Sequence, residues 1–179
     1  MKVFIIYCLG FLCLISCNKH ERTNIYVPQL YKDVGLFQKG SYWIYLNNKT
    51  LETDCTYVST EPKSYFETGD LSSRQIISIS YDSSLLFHCS LDPDECYFTS
   101  ILEPYGLILI RSISDKVDTL EVGNQKYSNV YHSRQINFIG SDSVFFDVYC
   151  SPHVGIVKIT KTIAGIDSSY NLLRWHVVQ

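Results

Sequence analysis

The chain has 179 residues, with 15 Lys and Arg against 18 Asp and Glu, for a formal net charge of −3. A mildly acidic chain with no Lys/Arg cluster lacks the electrostatic footprint of a nucleic-acid binder. Its length suits one domain that buries most of its apolar surface.

Met1-Lys2 supplies a positive start, and Val3 to Ile15 is an uninterrupted run without charge. The run is shorter than the roughly 20 residues that span a bilayer and fits the apolar centre of a secretory signal. It ends at Leu14-Ile15-Ser16-Cys17, which resembles the lipobox of bacterial lipoproteins. That resemblance implies cleavage after Ser16 and a diacylglycerol on the Cys17 thiol, since a thiolate is the nucleophile that forms the thioether. Two or three acyl chains, at about 0.8 kcal/mol per buried methylene, make a stable anchor where one does not. Residues 1–16 then form a lipoprotein signal peptide, 17–33 the lipidated cysteine and a flexible tether, and 34–179 a single domain. Residue 18 is Asn, not the Asp that retains many enteric lipoproteins in the inner membrane. Lys19-His20-Glu21 loosely resembles the export tag of Bacteroidetes surface lipoproteins. The expected location is the outer membrane, with the leaflet left open.

Past the tether the chain reads as short strands separated by turns. Tyr42-Trp43-Ile44-Tyr45-Leu46 is an aromatic strand closed by Asn47-Asn48. Thr53–Ser59 and Ser64–Thr68 follow, and Ile77, Ile79 and Tyr81 alternate with Ser78 and Ser80, the period of a half-buried strand. Leu85–Cys89 and Cys96–Leu102 flank an acidic turn, and Leu107–Ile110 is a continuous apolar run of the kind buried on both faces. Val117–Val122 turns at Gly123-Asn124 into Lys126–Asn137. Val144, Phe146, Val148 and Cys150 alternate with Phe145, Asp147 and Tyr149. Gly155–Lys161 and Leu172–Val178 close the chain, the latter with Leu173, Trp175 and Val177 on one face. No window of helical spacing appears, and the one alanine is Ala164. The pattern predicts an all-β domain, an antiparallel sheet of roughly ten strands built as a sandwich or a strongly curved half-barrel.

Of seven cysteines, Cys8 and Cys13 leave with the signal, and Cys55, Cys89, Cys96 and Cys150 accompany Cys17. An even number in an oxidising compartment suggests disulfides, with Cys89–Cys96 across the acidic turn and Cys55–Cys150 the favoured pairing among three. Free thiols remain the alternative.

Three segments resemble a group of small Bacteroidetes lipoproteins. They are Leu36–Tyr45 with its Gly40-Ser41-Tyr42-Trp43 core, Val122–Val130 around Gly123, and Tyr149–Lys158 around Val154-Gly155-Ile156. The resemblance implies a β fold and an envelope location and brings no catalytic residues. Gly40, Gly123 and Gly155 are expected where the backbone needs positive φ or close approach.

The chemistry-bearing residues are sparse. Cys150-x-x-His153 and His88-Cys89 have ligand character, but neither has a matched second pair, so no metal is expected. Asp92-Pro93-Asp94-Glu95 lacks the ligand spacing and Gly of a calcium loop and reads as a solvated turn. There is no Gly-x-Ser-x-Gly, no phosphate-cradling glycine loop and no dinucleotide fingerprint, so neither an enzyme nor a cofactor is expected. Trp43, Tyr45 and Trp175 are candidate aromatics for stacking on sugar rings, although Tyr also favours strands on its own account. Thr119 in Asp-Thr-Leu and Ser143 in Asp-Ser-Val match a pattern resembling O-glycosylation sites of exported Bacteroidetes proteins. The expected function is a non-enzymatic module, held to the membrane by lipid, that binds a glycan or an envelope protein. A carrier of lipid or apolar ligand in a half-barrel cavity, or a structural assembly part, are the alternatives.

Overall fold

Alternating apolar and polar residues make strands nearly everywhere in this chain. The computed structural model describes residues 22–178, apart from 70–71, 83–87, 103–105, 112–114 and 140–141. Within 99–111, 137–139 and 142–143 it describes only the backbone. Among the described residues thirteen strands form: β1 (Thr23–Ile25), β2 (Tyr42–Asn47), β3 (Thr53–Val58), β4 (Lys63–Thr68), β5 (Ser72–Asp82), β6 (His88–Leu91), β7 (Cys96–Leu102), β8 (Gly106–Arg111), β9 (Asp115–Val122), β10 (Gln125–Ile139), β11 (Asp142–Ser151), β12 (Gly155–Ile163) and β13 (Ile166–His176). One short helix, α1 (Gln29–Gly35), precedes β2. No helix among the described residues is long and apolar enough to cross a membrane.

The strands form one sheet in the order β8-β7-β6-β5-β3-β2-β13-β12-β11-β10-β9. Every pair on that path is antiparallel. β5 is the junction. Its end pairs with β3 through Tyr57↔Asp82 and Val58↔Tyr81, and its earlier part pairs with β4 from Lys63↔Ser78 to Thr68↔Ser73. β3 and β4 therefore lie end to end along one edge of β5, while β1 and β6 share the other. The backbone of β8 comes against β10 and β11, so the sheet rolls over on itself. β8 and β9 stay unpaired with each other, and the roll is a strongly curved sheet that does not close into a barrel.

The core fills the roll. Val144, Phe146, Val148 and Cys150 are fully buried on one wall, and Ile77, Ile79 and Tyr81 face inward from the other, as their alternation predicts. Rings run across the middle: Phe37 to Trp43 at 5.0 Å between centroids, Trp43 to Tyr81 at 5.9 Å, Tyr81 to Phe98 at 6.5 Å. Gly155 has φ +91, and a Cβ there would stand 3.1 Å from Phe37 and 3.3 Å from Trp43, so both the conformation and the space call for glycine. Gly40 and Gly123 also have positive φ, as expected.

Three differences from the expected pattern have physical causes. The domain begins well before residue 34: β1 pairs with β5, Val27 is buried, and α1 buries Val34 and Gly35. Pro28 starts that helix with its fixed φ, and three apolar positions, Leu30, Tyr31 and Val34, in seven residues are too few to show periodicity. Of the expected Leu85–Cys89 strand, Leu85–Phe87 lies outside the described residues, and β6 is described from His88. β13 begins at Ile166, because Ala164 (φ 50) and Gly165 (φ 78) make a two-residue hairpin turn ahead of the polar Asp167-Ser168-Ser169. A bulge between Leu172 and Arg174 buries Leu172 and leaves Leu173 54% exposed, so Leu173 does not share the core face.

Candidate functional site

Two of the three aromatic residues singled out for stacking, Trp43 and Tyr45, are buried. Trp43 is 3% exposed and donates its indole N–H to the Val154 carbonyl. Tyr45 is 1% exposed and donates its hydroxyl to the Ile156 carbonyl at 2.9 Å. Burial pushes the Tyr45 phenol well above its ordinary range, so it stays a donor. Trp175 is half-buried against Tyr127, 5.8 Å between ring centroids. Trp43 and Tyr45 are thus core residues and offer no face to a sugar. The hollow they line with Phe37, Thr56, Tyr81, Phe98 and Ile156 has a volume of about 10 Å³, the room of one water.

The four described cysteines, Cys55, Cys89, Cys96 and Cys150, are unbridged in this structure. Cys89 and Cys96 approach to 4.0 Å between sulfurs, packed under Gly35 of α1. Burial raises the Cys89 and Cys150 thiols well above their ordinary range, which makes them poor nucleophiles. Cys55 is exposed, on a strand that β2, β13 and β12 separate from β11 and the buried Cys150, and the structure does not bring those two together.

The acidic turn uses its carboxylates internally. Asp92 Oδ1 accepts from the backbone N–H of Asp94 at 2.7 Å and of Glu95 at 2.8 Å, and Arg74 pairs with Asp94. Cys150 is buried and His153 exposed, so they share no site, and no group of three ligands converges among the described residues. Thr119 lies exposed on β9. Ser143 pairs with Phe138 along the backbone, and its side chain and Cys17 lie outside the described residues.

On the outer face, Asp147 gathers an arginine and a histidine. Arg134 donates from Nε to Oδ1 at 2.8 Å and from its terminal nitrogen to Oδ2 at 3.0 Å, and His132 Nε2 lies 2.7 Å from Oδ1. Burial by itself would raise the Asp147 carboxyl, but the bonds from Arg134 and His132 outweigh it and hold the group below the usual carboxylate range. An ionised carboxylate only accepts, so His132 Nε2 carries its hydrogen. The His132 ring stacks on Tyr149 at 4.6 Å, and Lys158 Nζ sits 5.7 Å from the centre of the same Tyr149 ring. The side chains in this cluster are occupied with one another.

The inner face differs at one end of the roll, where β2, β3, β12 and β13 meet. The Asn48–Glu52 turn is fastened by Asn47, whose Oδ1 accepts from the N–H of Lys49 at 2.9 Å and Thr50 at 3.2 Å. Leu51, with φ 61, donates its N–H to the Asn47 carbonyl, and Asn48 N–H bonds the Ser169 carbonyl on β13, both at 2.8 Å. This stiff rim borders a cleft of about 630 Å³ lined by Asn47, Thr50, Leu51, Glu52, Thr53, Asp54 and Tyr170. Behind Tyr170, Lys161 is 8% exposed, with Nζ 5.1 Å from the Tyr170 ring centre. Burial lowers the Lys161 ammonium from its ordinary range, and the Asp54 carboxylate partly offsets this. The volume falls within the range of small-molecule sites, but the lining is polar. Two carboxylates, an amide and a phenol there suit a ligand rich in hydroxyl or amino groups.

Among these residues, sequence reading used Asn47 only as a turn marker and passed over Asp54, Lys161 and Tyr170. One signal was present: Val157, Ile159 and Lys161 share a strand phase, so Lys161 is a lysine on a core-facing position. Comparisons with protein families, with curated proteins and with solved structures find no match to this chain.

Proposed function

We propose that the chain is an envelope lipoprotein, anchored by acyl chains on Cys17, that displays its curved β domain from the outer membrane as a non-enzymatic module for a polar ligand or envelope partner. The Leu14-Ile15-Ser16-Cys17 segment at the end of the apolar run carries the anchor, and the three segments similar to Bacteroidetes lipoproteins support the same location. The open polar cleft is the observation that favours a hydroxyl-rich ligand such as a glycan. An apolar hollow of about 10 Å³ gives a lipid carrier no support.

Intact mass of the detergent-extracted protein tests the anchor: a species beginning at Cys17 with added acyl mass is expected. Cys17→Ser should abolish the added mass, and an unacylated wild type overturns the anchor. Calorimetric titration with oligosaccharide fragments of the producing cell's envelope tests the cleft. Tyr170→Phe and Asp54→Asn should each weaken binding, and heats unchanged by both substitutions would remove the cleft from the reading.

A further inference from the structure

β4 is an edge strand with both faces in solvent: all six residues, Lys63 to Thr68, are exposed. Among the described residues it pairs only with β5. β2 flanks β3, but its pairing with β3 begins at Tyr42↔Tyr57, so no described strand occupies the lane beside β4. An unpaired edge of this kind is a template for another strand unless its side chains forbid pairing. The side chains here select one partner. Strand alternation puts Lys63, Tyr65 and Glu67 on one face and Ser64, Phe66 and Thr68 on the other. A second β4 laid antiparallel about a two-fold axis at Tyr65 sets Lys63 opposite Glu67 twice, Tyr65 opposite Tyr65, and Ser64 opposite Phe66 twice. Directly opposed residues of opposite charge stabilise a strand pair, and aromatic pairs add to it. A one-residue slip would join the outer face of one sheet to the inner face of the other.

Ser64 accepts from Gln75 and the Phe66 ring meets Tyr26 edge-on at 5.7 Å, which leaves the Lys63-Tyr65-Glu67 face to a partner. Tyr65 is 49% and Phe66 43% exposed. Neither Lys63 nor Glu67 takes part in a salt bridge among the described residues, Arg74 across from Glu67 being engaged by Asp94.

We infer that β4 is a self-association edge, through which two copies of this chain join antiparallel into a continuous sheet about a two-fold axis at Tyr65. The interface is a single strand pair, so the dimer is weak and concentration-dependent. The inference holds whether or not Cys17 is acylated.

Sedimentation velocity of the full chain in detergent, taken to high concentration, reads the assembly directly. The wild type should shift from monomer to dimer with concentration. Lys63→Glu and Glu67→Lys each place two like-charge contacts at the edge and should weaken the dimer by about tenfold. The double exchange restores both opposite-charge pairs and should restore association. Circular dichroism should be unchanged throughout, since both residues are exposed. A wild type that stays monomeric overturns the inference and leaves the edge to a different strand or a bilayer. A dimer indifferent to the single exchanges, or one the double exchange fails to restore, also overturns it by moving the interface elsewhere.

Discussion

Asp147 and Lys161 sit on adjacent strands, β11 and β12, and both are charges withdrawn from water, 8% exposed each. They are handled in opposite ways. Asp147, on the outer face, is met by Arg134 through two hydrogen bonds and by His132 through a third, and its charged form is favoured. Lys161, on the inner face, has the Tyr170 ring and the field of Asp54, and its charged form is disfavoured. The first arrangement is satisfied within the fold, as a structural charge must be. The second leaves a less compensated charge against Tyr170, one of the residues that line the open polar cleft.

Three substitutions measure that contrast against the ordinary core. Phe146 is the fully buried neighbour of Asp147 on the opposite face of β11. Phe146→Ala should cost about 3–5 kcal/mol in urea unfolding, the cavity adding to the lost burial. That value sets the scale. If Asp147→Asn cost as much, the outer cluster would rank as part of the core.

Asp147→Asn should cost about 2 kcal/mol at neutral pH, because it removes the charge from three hydrogen bonds in a place water barely reaches. The cost should depend on pH. The folded carboxyl titrates below its unfolded value of about 3.9, so its contribution is complete above that pH and is lost as pH falls through the folded value. Acid unfolding curves of wild type and variant should therefore converge at low pH. Curves that stay parallel would mean that Arg134 and His132 do not stabilise the carboxylate, and the contrast with Lys161 would fail.

The two charges were unequally visible in the sequence. The walls of the roll were legible because their signal is local: Ile77, Ile79 and Tyr81, and Val144 through Cys150, repeat every second residue whatever they pack against. Asp147 falls on the outward phase of β11, where a charge raises no question, and only the register Arg134↔Asp147 reveals its partner. Lys161 falls on the inward phase of β12, yet it stands near the strand's end and so reads as a terminus. The cleft could not be read locally. Asn47, Asp54 and Tyr170 come from three strands that meet only because β13 returns from the far end of the chain to lie beside β2. The aromatic residues misled for a related reason. Trp43 and Tyr45 look like a binding platform in a strand whose partner is unknown, and the curl of the sheet turns that face inward.

The smallest expected effect is the most telling one. Lys161→Met keeps the length of the stem and its packing on Tyr170 while removing the buried ammonium. The fold should be unharmed or gain about 1–2 kcal/mol at neutral pH, as when other buried charges give way to apolar side chains. The sign of the pH dependence separates this from a general packing gain. The folded lysine titrates below its unfolded value of about 10.4, so between those two points the unfolded chain holds more protons and wild-type stability rises with pH. The variant lacks that rise, and its advantage should shrink as pH approaches the unfolded value. Urea midpoints from neutral to alkaline pH measure it. A loss of stability in the variant at neutral pH would show that Lys161 and Asp54 hold the mouth of the roll together as a structural pair. The cleft would then be a seam of the fold, and its ligand would have to be sought on another face.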